Sequence, residues 1–146
     1  MNSSEFEQFL HEQIPITKAM EFNVIEFSTS KVKVLAKLKP NTNHMGTAFG
    51  GSINSLMAVC GWAMMYANVK DVAPEAHIVI QKSSINYLGS IKEDFVAECE
   101  LTDEDARIKF LEMYHRHQKG KLQLSVFCYD KEILLARFEG QYVAYT

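Results

Sequence analysis

The sequence predicts an α+β fold, a curved antiparallel β-sheet wrapped around one long central helix, in a single domain over residues 1–146. One observation behind this prediction is the stretch 41–69, which carries no formally charged side chain and becomes a long apolar run from about Ala48. The other is that most of the remaining chain divides into short strand-like runs separated by polar turns. A helix that is apolar on every side must be covered on most sides, and a curved sheet provides that cover.

Composition narrows the class of protein. A content of 47% hydrophobic and 23% charged residues is typical of a folded globular chain. The net charge of −3, without a basic run, argues against a nucleic-acid partner. Cys60, Cys99 and Cys128 are far apart and lack the spacing of a zinc site, so we expect reduced thiols, no metal and a cytoplasmic location.

The N-terminal region is expected to begin with a short helix. Ser4 is the predicted N-cap, and Glu7, three residues later, would complete a capping box. Pro15 is expected to end this helix. Residues 14–20 then form a connection with room for another helical turn.

A hairpin follows. Residues 22–27 and 31–38 are predicted strands, with a turn at 28–30. The second strand alternates apolar residues with lysines, so one face meets the core and the other meets water.

The central helix is predicted over residues 48–69. Its length is close to that needed to cross a membrane, about 20 residues. However, Ser52, Asn54 and Asn68 interrupt the run, so we expect a buried helix and no membrane partner.

Five further strands are predicted after this helix, arranged as a meander of antiparallel hairpins. An acidic turn at 103–105, a turn at 119–120 and a turn at 130–131 separate the last four of them. One sheet around one helix leaves free edges, so we expect a homodimer or a dimer of dimers paired edge to edge. The five predicted strands cover residues 77–88, 93–101, 107–118, 121–129 and 133–145.

The start of the central stretch resembles a known family. Residues 43–53 read NHMGTAFGGSI, Gly61 and Trp62 follow, and residues 83–88 read SSINYL. Together these motifs resemble the hotdog-fold thioesterases, most closely the YiiD-type C-terminal domain and, at Phe-Gly-Gly, the YciA-type acyl-CoA hydrolases. The resemblance implies the hotdog fold and hydrolysis of acyl-CoA or acyl-carrier-protein thioesters. It implies no cofactor, since CoA or phosphopantetheine belongs to the substrate, and it makes an acyl carrier protein a possible partner.

Two positions depart from the family pattern. Thr47 stands where YciA-type enzymes have an aspartate, and Ala58 stands where relatives of the PaaI type have an acidic residue. The resemblance therefore supplies a fold and a ligand class without a catalytic carboxylate.

The helix start can nevertheless polarise a thioester. Free N–H groups and the positive end of the helix dipole point out of such an end. We predict that the N–H groups of Gly51 and Ser52 form an oxyanion hole, with Gly50 and Gly51 admitting the ligand close to the backbone. Alternatively, the glycine pair serves only tight packing of the helix on the sheet.

Neutral polar side chains are the remaining candidates. Asn54, as a buried amide, would orient a water or the carbonyl, or would bond only the sheet backbone. His44 is either a general base or a loop residue without a role, and Thr47 is expected to cap the helix. His115 and His117 share a face of a predicted strand but lack a third metal ligand. The predicted catalytic residues are Asn54, Asn43, His44, Thr47 and Ser52, and the predicted substrate-binding residues are Gly50, Gly51, Ser83, Ser84 and Asn86.

Two functions remain open on the sequence. The first is an acyl thioesterase that uses the helix N–H groups and neutral polar residues. The alternative is a non-catalytic module of the same fold that binds acyl thioesters.

Overall fold

A computed structural model describes every residue from Met1 to Thr146. The helices are α1 (Ser3–Gln13), α2 (Ile16–Ala19), α3 (Gly50–Val69) and α4 (Glu104–His117), with a 3-10 turn at Lys39–Asn41. The strands are β1 (Phe22–Phe27), β2 (Lys31–Ala36), β3 (His77–Tyr87), β4 (Phe95–Glu100), β5 (Lys119–Asp130) and β6 (Ile133–Tyr145).

The six strands form one antiparallel sheet in the order β1-β2-β4-β5-β6-β3, and α3 contacts all six of them. This arrangement confirms the predicted curved sheet around a central helix. Thirteen of the twenty residues of α3 are buried, because its apolar side chains pack into the concave face of the sheet. No helix of the structure is both long enough and apolar enough to cross a membrane.

Gly61 lets α3 approach the sheet closely. The ring of Tyr142 on β6 fills the space beside it, so a Cβ atom at this position would overlap the tyrosine hydroxyl. That hydroxyl donates a hydrogen bond to the carbonyl oxygen of Ala58 at 2.7 Å. The contact fixes the depth at which the helix lies in the sheet.

The prediction of a strand over 107–118 is wrong, since these residues belong to α4. The acidic turn at 103–105 is in fact the start of this helix. Asp103 is the N-cap, and its side chain accepts a hydrogen bond from the N–H of Ala106 at 3.1 Å. Phe110 and Tyr114, four residues apart, form the buried face. This spacing is typical of a helix that buries one face, and not of the predicted strand.

Two consequences follow for the neighbouring residues. Lys119 and Gly120, predicted as a turn, are the first residues of β5. His115 and His117 lie two positions apart on a helix, about 200° around its axis, so they do not share a face.

The predicted meander is also wrong in its connectivity. Four strands rather than five follow α3, and β3 lies at the edge beside β6 instead of beside β4. Strand β4 pairs with β2 from the first hairpin. Local turn signals predict only hairpin neighbours, whereas these pairings join distant parts of the chain.

The N-terminal cap lies two residues before the predicted one. Asn2 accepts a hydrogen bond from the N–H of Glu5 at 2.8 Å, and the Glu5 carboxylate accepts one from the N–H of Asn2 at 3.2 Å. Glu7 instead accepts from the N–H of Val24 at 2.7 Å, which ties α1 to β1. The extra helical turn within residues 14–20 is confirmed as α2.

Candidate active site at the start of the central helix

The loop before α3 is shaped by one amide side chain. Asn43 Oδ1 accepts hydrogen bonds from the N–H groups of Met45 (2.9 Å) and Thr47 (3.2 Å). Asn43 Nδ2 donates to Thr47 Oγ1 at 2.8 Å. A bridge between Thr42 and Ala48 closes the loop at its base. Asn43 and Thr47 are therefore bound to each other, and they hold the loop in shape.

Thr47 does not cap the helix, contrary to the prediction. The N-cap is Phe49, an extended residue whose side chain makes no capping hydrogen bond. The N–H of Phe49 donates to the carbonyl of Asn41 at 2.7 Å, and that of Ala48 donates to Ile91 at 2.8 Å. These backbone bonds place the chain at the correct entry point and leave the helix end without a side-chain cap.

Two N–H groups remain free at this helix end. The N–H groups of Ser52 and Ile53 both donate to the carbonyl of Phe49 at 3.0 Å. The N–H groups of Gly50 and Gly51 donate to no acceptor in the chain. The free pair is therefore Gly50 and Gly51, in place of the predicted Gly51 and Ser52. No acidic residue occupies the first turn, so the positive end of the helix dipole is not neutralised.

Tyr87 borders this pair and was missed by the sequence analysis. Its hydroxyl donates to the carbonyl of Gly50 at 2.9 Å, which joins the end of β3 to the start of α3. Gly51 is exposed, and no atom beyond the neighbouring Phe49 ring crowds it. The spacing of Tyr87 could have identified it, because residues two or four positions apart on a strand point to the same face. Tyr87 follows Ile85 by two residues and Ser83 by four.

The residues of α3 that are not buried form one stripe along the helix. Asn54 is exposed and makes no hydrogen bond within the chain, so the prediction of a buried amide is wrong. Ser55 Oγ donates to the carbonyl of Gly51 at 2.8 Å. Ser52 is buried on the covered side of the helix. The stripe comprises Gly50, Gly51, Asn54, Ser55, Ala58, Trp62 and Tyr66.

Strand β3 presents only one of the three predicted polar residues to this stripe. Directly opposed residues of an antiparallel pair point to the same face of the sheet. Ser83 is opposite the buried Gly140 and therefore faces α3, whereas Ser84 is opposite Glu139 on the outer face. Asn86 points outwards with Ser84. The structure thus brings Ser83 to the helix side and leaves Ser84 and Asn86 outside the site.

His44 is an exposed residue of the loop with no hydrogen-bond partner. Nothing in the structure orients its ring towards the free N–H groups. The structure contains no group of three or more His, Cys, Asp or Glu side chains that could hold a metal ion.

A groove lies farther along the stripe, beside Ala58 and Trp62. It encloses about 410 Å³ between α3 and β3, and every residue that lines it is hydrophobic. Such a groove suits a hydrocarbon chain and offers no hydrogen bond to a polar one. Its lining residues are Ile14, Ala58, Val59, Trp62, Ile78, Val79, Ile80 and Tyr142.

The core around the groove contains no ionised nucleophile at neutral pH. Burial raises the pKa of the Cys99 and Cys128 thiols to about 12. Burial also raises the pKa of the Cys60 thiol well above its ordinary value, and that of the Tyr142 hydroxyl likewise. These groups therefore stay protonated at neutral pH.

Comparisons with known proteins agree with this fold and identify a family. A family model described as "Putative thioesterase (yiiD_Cterm)" matches residues 3–146. A protein of unknown function from Chlorobaculum tepidum TLS is 24% identical, with a TM-score of 0.91 over 99% of this chain and 94% of that chain. A putative thioesterase from Shewanella oneidensis is 26% identical, with a TM-score of 0.86 over 99% and 97% of the two chains. A Pseudomonas aeruginosa protein described as a probable thioesterase is 17% identical, with a TM-score of 0.83 over 97% and 95%.

Proposed function

The chain belongs to the thioesterase family of the YiiD C-terminal type, and on this premise we propose that it hydrolyses acyl-CoA or acyl-carrier-protein thioesters. One observation carries the proposal. The free N–H groups of Gly50 and Gly51 open onto the same stripe of α3 that lines the apolar groove. A thioester needs this combination, because its carbonyl must be polarised while its acyl chain is kept out of water.

The two N–H groups supply the oxyanion hole. The thioester carbonyl oxygen lies against Gly50 and Gly51 and becomes negatively charged when water adds to the carbonyl carbon. Preorganised donors of this kind accelerate related reactions by about 10²–10³-fold per donor. The helix dipole adds to the effect, since its positive end faces the developing charge.

Asn54 and Ser83 position the attacking water. Both are exposed on the inner side of the site, and neither makes a side-chain hydrogen bond within the chain. The water oxygen bonds to the carbonyl carbon, the carbon–sulfur bond breaks, and the water proton leaves with the thiolate. The products are a carboxylic acid and the free thiol of the carrier. No separate cofactor takes part, because the CoA or phosphopantetheine arm is a portion of the substrate.

We also propose that the protein acts as a homodimer or a dimer of dimers. Strand β3 is an eleven-residue edge strand that pairs only with β6, and nearly all its residues are exposed. A long unpaired edge of this kind favours pairing with a second copy. A molar mass equal to one chain in light scattering would contradict this proposal. The three free, buried cysteines accord with a cytoplasmic site of action.

The decisive experiment is a panel of acyl-CoA and acyl-carrier-protein substrates with short, long and aromatic acyl groups, in which free thiol is followed over time. We expect turnover with at least one acyl class. Ser83→Ala should lower kcat, and the matched variant Ser84→Ala, on the outer face, should not. Absence of thiol release across the panel would refute the hydrolase proposal.

A non-catalytic acyl-thioester binding module is the second candidate. Thr47 and Ala58 stand where related families carry a carboxylate, and in this structure Thr47 is bound to Asn43 while Ala58 lines the groove. Tight binding of acyl thioesters without release of thiol would identify such a module.

A further inference from the structure

The apolar groove ends at Trp62. The indole ring stacks on Tyr66 with centroids 5.5 Å apart and planes inclined by 6°. Tyr66 is in turn stacked on Phe9 at 4.7 Å. Across the groove, Trp62 Nε1 donates to the carbonyl of Ile78 on β3 at 3.4 Å. The side chain therefore bridges helix and strand, and neighbouring rings hold it in place.

A second groove begins on the other side of this tryptophan. It encloses about 690 Å³ and shares Ile14, Trp62, Ile78 and Val79 with the first groove. Its lining includes Gln13, Glu75 and His77, whereas the first groove has no polar residue. Trp62 thus lies at the junction between a wholly apolar groove and a groove of mixed polarity.

We propose that Trp62 sets the maximum length of the acyl chain, and that the substrates are straight, medium-chain acyl thioesters. This inference rests on the proposed function and names its substrate class. Trp62 follows Gly51 by eleven positions on the helix, which is a distance of about 16 Å along the axis. Bonds of about 1.5 Å at tetrahedral angles advance an extended chain by roughly 1.25 Å each, and the indole takes up part of the space, so the path from the free N–H groups through the groove to Trp62 holds on the order of ten carbons.

The character of the groove identifies its occupant. All eight lining residues are hydrophobic, and the one hydroxyl among them, that of Tyr142, already donates to Ala58. A polar ligand would lose its hydrogen bonds to water without replacement. On α3 the groove begins at Ala58, about two turns after the free N–H groups and on the same stripe, so an acyl tail in the groove can have its thioester carbonyl at the helix start.

Binding and turnover can be measured separately. S-alkyl pantetheine thioethers cannot be hydrolysed, and they contain the arm common to CoA and the carrier protein. With thioethers of four to sixteen carbons, calorimetry on the wild-type protein should show affinity that rises to about ten carbons and then stops rising. Trp62→Ala joins the two grooves, so the longest chain accepted should increase by about four carbons or more. The ratio of long-chain to medium-chain affinity should rise at least tenfold.

Two further variants keep the test decisive. Ala58→Leu fills the middle of the first groove and should shorten the preferred chain, even if Trp62→Ala folds poorly. Glu75→Ala alters only the second groove, outside the ring stack that holds Trp62, and should leave the length profile unchanged. Thermal melting establishes that each variant is folded.

Unchanged length profiles in folded Trp62→Ala and Ala58→Leu would overturn the inference. The inference would also be overturned if these folded variants changed their molar mass in light scattering but kept the wild-type chain-length profile, since a second copy would then occupy the groove. Length-limited thioether binding without hydrolysis of the matching thioesters would refute the hydrolase function and leave the role of Trp62 intact. Hydrolysis of acyl thioesters with no shift in the preferred chain length of the variants would support the hydrolase function and refute the role of Trp62.

Discussion

The two long helices of this protein begin in opposite ways. Helix α4 has Asp103 as a side-chain cap, and acidic Glu104 and Asp105 follow in its first turn. Helix α3 begins at Phe49 with no side-chain cap and no acidic residue. A carboxylate at a helix N-terminus stabilises the helix and occupies its free N–H groups. The N-terminus of α4 therefore serves stability, and that of α3 remains available to a ligand.

The bodies of the helices explain how this difference is tolerated. Helix α3 is buried among the six strands, which hold it in place without a cap. Helix α4 buries only Phe110 and Tyr114, so local interactions contribute more to its stability. Helix stability in α3 comes from the sheet, and this leaves its first turn free to serve as a site.

Capping α3 should cause the largest effect. In Phe49→Asp, the new carboxylate would accept from the N–H groups of the first turn and fill the proposed oxyanion hole. We expect kcat for thioester hydrolysis to fall by about 10²–10³-fold, while the free energy of unfolding rises by up to ~1 kcal/mol. Kinetics on the best acyl substrate and urea unfolding measure the two effects.

Phe49→Ala is the control, because it removes the exposed ring without adding a cap. It should retain most of the activity. Equal losses in both variants would show that the ring, and not the free N–H groups, matters for turnover.

Asn54→Ala tests the water-positioning role and should have the next largest effect. Because Asn54 is exposed and forms no hydrogen bond in the chain, its loss should leave stability almost unchanged. We expect kcat to fall by about tenfold or more, as for other losses of reactant positioning. Ser55→Ala, which loses only a bond to Gly51 in the same helix, should change kcat by less than about twofold. Unchanged kcat in folded Asn54→Ala would remove this residue from the site.

Removing the cap of α4 should have a smaller effect, confined to stability. Asp103→Ala loses the hydrogen bond to the N–H of Ala106 and should lower the free energy of unfolding by ~1 kcal/mol. The kcat should not change. A loss of activity without a loss of stability would mean that α4 contributes directly to the site.

The smallest expected effect is a pH dependence of the free energy of unfolding, which arises from buried thiols around α3. The folded state holds the pKa of Cys99 and Cys128 at about 12, whereas the ordinary value is 9.0. Above pH 9 the unfolded chain releases these protons and the folded protein retains them, so the free energy of unfolding falls as pH rises towards 12. At half a pH unit above the pKa of the unfolded chain, the free energy of unfolding has fallen by less than about 1 kcal/mol per thiol.

Urea unfolding at a series of pH values measures this slope. Cys99→Ala should reduce the slope, although the substitution also changes stability at neutral pH. A slope that is the same in wild type and Cys99→Ala would show that the pKa of the Cys99 thiol does not differ between the folded and the unfolded state.

Some elements were predictable because their signal is local. The apolar, uncharged run after Phe-Gly-Gly is sufficient to predict α3, and the lysine alternation of 31–38 is sufficient for β2. Helix α4 could also have been found locally. Asp103 followed by two acidic residues is an N-cap with a charged first turn, and Phe110 with Tyr114 has helical spacing.

The site was only partly predictable for a physical reason. The glycine pair marks a helix start, but which N–H groups are free depends on the bonds that Ser52 and Ile53 make to Phe49. Asn54 was expected to be buried because its helix is apolar, and it is exposed because it lies on the one uncovered stripe.

The central helix and most strands follow from the amino-acid sequence alone, because periodicity and polar turns act over a few residues. The family follows from the resemblance of the motifs at residues 43–53 and 83–88. Long-range pairing, in contrast, puts β3 at the edge beside β6, so Ser83 and Tyr87 face the helix while Ser84 and Asn86 do not. It also brings the Trp62 indole to the carbonyl of Ile78 beside the apolar groove. Strand order and the path of a groove depend on contacts between distant segments, and no local pattern in the chain specifies them.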